Sequence, residues 1–182
     1  MRALAPLALL LAAAPGPALA TDAPLPPMGA RTLPDGTLLA VGTQPKDGVA
    51  YFIDLTRLNR TGDKVQVFVY TVIDPPQQAG NAPMAQTVEA DIFDCTARTV
   101  TVDGMTGYDD IGMPVALSHA EPARKPDKGS VTLMVLQTVC DGWRPPVHLE
   151  VTGHKAAYEA AITELRRARK EFGIEPPATT SP

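Results

Sequence analysis

The side chains of this sequence best suited to metal or acid–base chemistry are three histidines, His119, His148 and His154, with Glu121 and Glu150 close by. Imidazole nitrogens and carboxylate oxygens are the right atoms for a zinc donor set. Their spacing argues against one. "HLEVTGH" lacks the i, i+4 interval that puts two imidazoles on one helical face, and His119 lies in a Pro-rich stretch, so surface histidines are expected. "DGMTGYDD" supplies Asp103, Asp109 and Asp110, without the alternate-residue acidic pattern and downstream Glu of an EF-hand loop. Turn chemistry is the expectation there. The three serines, Ser118, Ser130 and Ser181, lie outside any G-x-S-x-G elbow. There is neither a G-x-G-x-x-G segment nor a phosphate loop. No cofactor, no metal and no enzymatic activity are therefore expected. The residual enzyme alternative, a hydrolase with an unrecognised site, requires several of His119, His148, His154, Asp109 and Asp110 in one concave pocket.

Cysteine chemistry depends on compartment, and the N-terminus speaks to that. "MRALAPLALLLAAAPGPALA" has one Arg, an apolar run from Leu4 to Ala14, a Pro/Gly break and Ala18-Leu19-Ala20. That is the pattern of a secretory signal peptide cleaved after Ala20. The run is well short of the roughly 20 residues of a membrane span, and no lipidation Cys follows it, so neither a span nor a lipid anchor is expected. In an oxidising compartment an isolated pair, Cys95 and Cys140, reads as a disulfide. The closed loop of about 46 residues would contribute on the order of 4 kcal/mol by chain entropy.

Cleavage removes Arg2, leaving 15 of the 16 Lys and Arg against all 20 Asp and Glu. The mature chain is mildly acidic, which excludes nucleic acid as the expected partner, since phosphate binding needs clustered basic surface. The one basic cluster, Arg166, Arg167, Arg169 and Lys170, stands beside Glu164 and Glu171 and reads as a solvated helix face.

The elements that would position these groups are mainly strands. Residues 21–36 are Pro-rich and read as a flexible mature N-terminus. A strand is expected at Thr37–Gly42. Another follows the "TQPKDG" turn, where Val49, Tyr51, Ile53 and Leu55 alternate with Ala50, Phe52 and Asp54. "LTRLNRTGD" breaks the alternation. Asn59-Arg60-Thr61 inside it matches a glycosylation acceptor, but Asn there suits a turn and Thr61-Gly62 leads into the next strand. That strand places Val65, Val67, Val69, Thr71 and Ile73 on one face and Lys64, Gln66, Phe68, Tyr70 and Val72 on the other. "DPPQQAGNAP" reads as an exposed flap, because its prolines lack backbone donors. Ala85–Asp94 and Thr99–Met105 read as strands joined by a short turn, hence an antiparallel meander. Residues 109–129 read as a long Pro-punctuated connection. "SVTLMVLQTVC" fits a doubly buried strand or a Ser130-capped helix, and periodicity does not choose between them. "VHLEV" is strand-like. Tyr158, Ala161, Ile162, Leu165, Ala168 and Phe172 then recur at helical spacing over Lys155–Phe172, and Gly173 stops the helix. Residues 174–182 read as a disordered tail.

"DGVAYFIDLTRLNRTGDKVQVFVYTVIDPP", "VEADIFDC", "ARTVTVDGMTGYDD" and "TVCDG", in this order behind a signal peptide, resemble the surface-adhesin protein E-like family of exported bacterial proteins. The matching positions are Tyr51, Ile53, Asp54, Leu58, Arg60, Gly62, Asp63, Val67, Val69, Cys95 and Cys140, within residues 38–142. The resemblance implies an antiparallel sheet with a helix at the second Cys, tied to the sheet by the disulfide. It also implies an adhesin-like role, the type member binding host matrix and plasma proteins.

The expected fold is therefore α+β. A single antiparallel sheet of five to six strands, arranged as a meander, packs with one or two C-terminal helices and one disulfide in a single domain over 37–173. The expected function is an exported, non-enzymatic binding or envelope-associated domain with other proteins as partners. The alternative is a structural periplasmic subunit of an envelope assembly. In a half-exposed sheet Phe52, Phe68, Tyr70 and Phe93 would form an aromatic binding face, which burial beneath helices at 130–140 and 155–172 would remove.

Overall fold

The structure, a computed structural model, describes residues 31–118, 120–145 and 149–175. The expected signal peptide, most of the flexible N-terminus, His119, His148 and all but the start of the expected tail lie outside them. Nine strands and two helices follow in order: β1 (Thr37–Gln44), β2 (Val49–Asp54), β3 (Asn59–Thr61), β4 (Lys64–Ala79), β5 (Ala82–Asp94), β6 (Thr99–Tyr108), β7 (Pro114–Ser118), β8 (Glu121–Arg124), α1 (Val131–Asp141), β9 (Glu150–Thr152) and α2 (His154–Phe172). All strands join one antiparallel sheet in the order β7-β6-β5-β4-β2-β1-β9, with β3 paired to β4 and β8 paired to β6.

The strand count corrects the expected five to six, and each addition has a local cause. β3 lies within "LTRLNRTGD", where Asn59 faces Gln66 across the ladder between a turn at Thr56-Arg57 and a turn at Gly62-Asp63. Asn59 is thus a strand residue. The expected flap at 74–83 instead forms the ends of the β4–β5 hairpin, which turns at Gly80-Asn81. The ladder is interrupted between Val72 and Gln77, so Pro75 and Pro76 fall where no strand donor is needed. The expected connection at 109–129 contains β7 and β8, both edge segments alongside β6, where Pro114 and Pro122 are tolerated for the same reason.

The alternation read from β4 holds in three dimensions. Val65, Val67 and Val69 join Ile53, Phe93 and Val100 under Val135, Leu136 and Val139 of α1. Phe68, Tyr70 and Val72 join Phe52, Val88 and Ala90 under Ala157, Ala161 and Leu165 of α2. One helix therefore covers each face, and every residue from Val65 to Ile73 is buried. Each large aliphatic buried here contributes about 1.5–3 kcal/mol.

Residues 130–140 are resolved as helix. Ser130 Oγ accepts from Leu133 N–H at 3.1 Å, and Gly142 ends α1 in the left-handed region. α2 runs one residue earlier than expected, and two positions depart from its sequence reading. Phe172 is 70% exposed. Arg169, expected on a solvated face, is 5% exposed: its Nη1 donates to Asp74 Oδ2 at 2.8 Å, its Nη2 to the Asp74 carbonyl, and its Nε to Pro45 O at 3.0 Å. Gly48 makes this approach possible, since a Cβ there would sit 2.0 Å from the Asp74 carbonyl oxygen. Arg167 behaves as expected, paired with Glu164 at 2.6 Å and Glu171 at 3.1 Å on the exposed side.

Candidate functional site

The residues that recur in the family-like pattern gather at one end of the sheet. Cys95 at the end of β5 and Cys140 in the last turn of α1 form the expected disulfide. Arg60 on β3 donates to the Val139 carbonyl and reaches Cys95 Sγ at 3.9 Å. Asp63 receives Cys95 N–H on its carbonyl at 2.8 Å and the Thr96 hydroxyl on its carboxylate at 2.6 Å. Arg98 forks onto Asp141 with bonds of 2.7 and 2.9 Å. Asp54, buried at the end of β2, accepts from Thr56 N–H at 2.9 Å and from Arg57 Nε at 2.6 Å. Arg57 in turn lies 4.2 Å from the centre of the Phe68 ring, a cation–π contact.

The disulfide and the Arg60–Val139 and Arg98–Asp141 bonds hold the C-terminal end of α1 to the sheet, while its first turn lies beside β4, β5 and β8. A cleft of about 310 Å³ lies there, lined by Tyr51, Val69, Glu89, Asp91, Arg124 and Val131 among others. Strand period places Glu89 and Asp91 on the same face, opposite Val69 and Val67 of β4. Asp91 is 2% exposed, and its Oδ1 has no hydrogen-bond partner. Burial, then the neighbouring Glu89 charge, hold Asp91 well above the usual carboxylate range; burial also raises Glu89. Glu121 and Arg124 of β8, 3.8 Å apart, flank the pair; Arg124 lowers both carboxyls and Glu121 raises them, each by less than burial does. Tyr51 directs its hydroxyl to Gln44 Oε1 at 3.1 Å, and burial followed by Asp47 and Glu89 pushes its ionisation up.

The aromatic face expected from the sequence does not form. None of the four rings is more than 4% exposed. Phe52, Phe68 and Tyr70 pack on the α2 side, with Phe52 and Tyr70 6.0 Å apart. Phe93 pairs with Val65 and packs on the α1 side. These rings are core, covered on both faces by helices.

Of the residues named for the enzyme alternative, Asp110 and His154 line one cleft of about 360 Å³ with Gln86 and Tyr158. His154 Nδ1 lies 3.1 Å from the Pro34 carbonyl, and no Ser, Thr or Cys is among the described residues lining that cleft. Asp109 does turn chemistry, its Oδ1 accepting from Ile111 and Met113 N–H at 3.1 and 2.7 Å. Asp103 stands apart beside Arg31 at 3.8 Å. Among the described residues no group of three or more His, Cys, Asp or Glu is placed to hold a metal.

Glu89 and Asp91 fall within the strand expected at Ala85–Asp94, and the sequence reading places them in no site. The signal was available: two carboxylates at i and i+2, on the face that also carries Phe93, in an interior strand.

Comparison with curated proteins returns no match. A family model described as surface-adhesin protein E matches residues 39–141. That span runs from β1 through α1, includes the disulfide and the carboxylate cleft, and leaves out β9 and α2. The chain belongs to the surface-adhesin protein E family.

Proposed function

We propose that the protein is an exported, non-enzymatic domain that binds other proteins in the manner of an adhesin. The family match carries this reading, because it spans the disulfide-tied sheet and α1 together rather than an isolated motif. The signal-peptide pattern at residues 1–20 and the Cys95–Cys140 bridge support an oxidising, extracytoplasmic destination. Leu117 on β7, an edge of the sheet, and Ile111 and Met113 in the turn before it stand exposed, and surface of this kind suits protein contact. Among the described residues no helix is long and apolar enough to cross a membrane.

The test is to measure binding of the purified mature chain, and of intact producing cells, to immobilised extracellular-matrix and serum proteins. Protease treatment of whole cells reports display. Saturable binding that a gene deletion abolishes supports the proposal. A protein that stays protected inside whole cells and cross-links only into an envelope complex overturns it in favour of a structural periplasmic subunit.

A further inference from the structure

The first turn of α1 leaves open a cleft whose floor is two carboxyls, one of them Asp91 with a buried, unpartnered oxygen. Leaving such an oxygen unsatisfied in the interior is unfavourable. The cations already nearby do not relieve it: Arg124 is paired with Glu121 at the rim, and Asp91 Oδ1 receives no bond from it. A lone metal ion is a poor fit, since no third ligand of the required type converges among the described residues, and the volume far exceeds one ion. An anion would meet two carboxyl groups. Apolar surface from Val69, Val131 and Val135 lines the rest of the cleft, beside the ring of Tyr51. Carboxyls at the floor with aliphatic and aromatic walls are complementary to a charged head on a methylene stem.

We propose that this cleft receives a lysine or arginine side chain of a protein partner, its charge meeting Glu89 and Asp91 and its stem lying along Tyr51, Val69, Val131 and Val135. The inference rests on the reading of the chain as a protein-binding domain. Burial favours the protonated carboxyls; entry of the cation favours their ionised forms, the proton leaving to solvent, and the head then forms charge-assisted bonds to them. Among the described residues the other charged or titratable groups facing the pair are Glu121 and Arg124 of β8 and Tyr51 of β2; α1 presents none there.

The experiment titrates the mature protein with Nα-acetyl-lysine amide and Nα-acetyl-arginine amide, using Nα-acetyl-citrulline amide as the uncharged control and Ca²⁺ or Mg²⁺ alone as further probes. NMR follows Glu89, Asp91, Tyr51 and the Val131 and Val135 methyls. The expected result is saturable shifts with a cationic probe and none with citrulline, weakened about tenfold or more in both Asp91→Asn and Glu89→Gln. The near-isosteric amides keep the fold, and Glu89 is only partly buried, so a folding failure in one variant leaves the other informative. Equal response to citrulline, response to the metal ions only, or no response to any probe overturns the proposal. The immobilised-protein assay separates the two readings. If protein binding persists undiminished in both variants, the cleft proposal falls and the binding-domain reading stands. If the probes bind but no protein partner does, the binding-domain reading falls, and with it the assignment of the cation to a protein.

Discussion

The guanidinium of Arg60 on β3 donates to the carbonyl of Val139, the residue before Cys140 on α1. A cation at a helix C-terminus satisfies a carbonyl that has no intrahelical partner and complements the helix dipole. Arg60 thus links the short strand β3 to the helix at the point where the disulfide also holds it. Its place in the family-like pattern is explained by this joint and not by the hairpin turn itself. Arg60→Met should lower stability by about 1 kcal/mol, as read by urea denaturation. Amide exchange should quicken in the last turn of α1 before it does in β4.

The disulfide closes the same joint covalently. Cys95→Ala combined with Cys140→Ala should cost about 2–4 kcal/mol. Mass measurement of the natively exported chain under non-reducing conditions should show two hydrogens fewer than the reduced chain. Two free thiols there would remove the covalent tie that positions α1 over the cleft.

On the opposite face α2 is held by Arg169 and Asp74, 2.8 Å apart and both largely buried. Removing one partner of a buried pair strands the other charge, so Asp74→Ala should cost about 3 kcal/mol or more. Arg169→Met in the same chain should restore much of that loss, because no buried charge then remains. Denaturant titrations of the two single variants and the double variant measure the coupling. Additive losses would show that the pair acts independently of Asp74's charge.

How much of this was legible depended on whether the physics was local. The alternation of β4 is a property of consecutive residues, so both of its faces could be read correctly. Cover is not local. The same alternation left open whether Phe68 and Tyr70 met water, a partner or α2, and Phe93 was grouped with them although register puts it on the other face. Prolines at 75 and 76 spoke for a flap because ladder donors are usually needed; an interruption between Val72 and Gln77 removes the need. Arg169 lies four residues after Leu165, on the buried stripe of α2. Its neighbours Arg166, Arg167 and Lys170 made it look solvated, and Asp74, its partner, is 95 positions away. Glu89 and Asp91 were visible as carboxylates on one face. That α1 would bury them depended on Ser130 starting a helix, which the pattern at 130–140 left undecided.

The carboxyl pair also sets a pH dependence with a definite sign. Folding raises the ionisation of Asp91 and Glu89, burial being the main cause in each. Groups whose folded-state values lie above the unfolded ones stabilise the fold while protonated and lose that contribution as pH rises. The contribution is therefore whole below the ordinary carboxylate range, near about pH 4, and declines above it as the folded pair ionises. Among the described residues Arg124, Glu121 and Tyr51 are the other charged or titratable groups facing the pair; the nearby Arg124 charge limits the decline by favouring the ionised forms. Asp91→Asn removes the fully buried acid of the pair and keeps its shape. It should leave stability near pH 4 almost unchanged and raise it by about 1–2 kcal/mol at pH 8, where the wild type carries buried negative charge. Urea midpoints from pH 4 to pH 8 measure this directly. If the Asn variant and the wild type follow parallel curves across that range, Asp91 is not a buried acid of raised pKa, and the proton displaced by an entering cation would have no source in this pair.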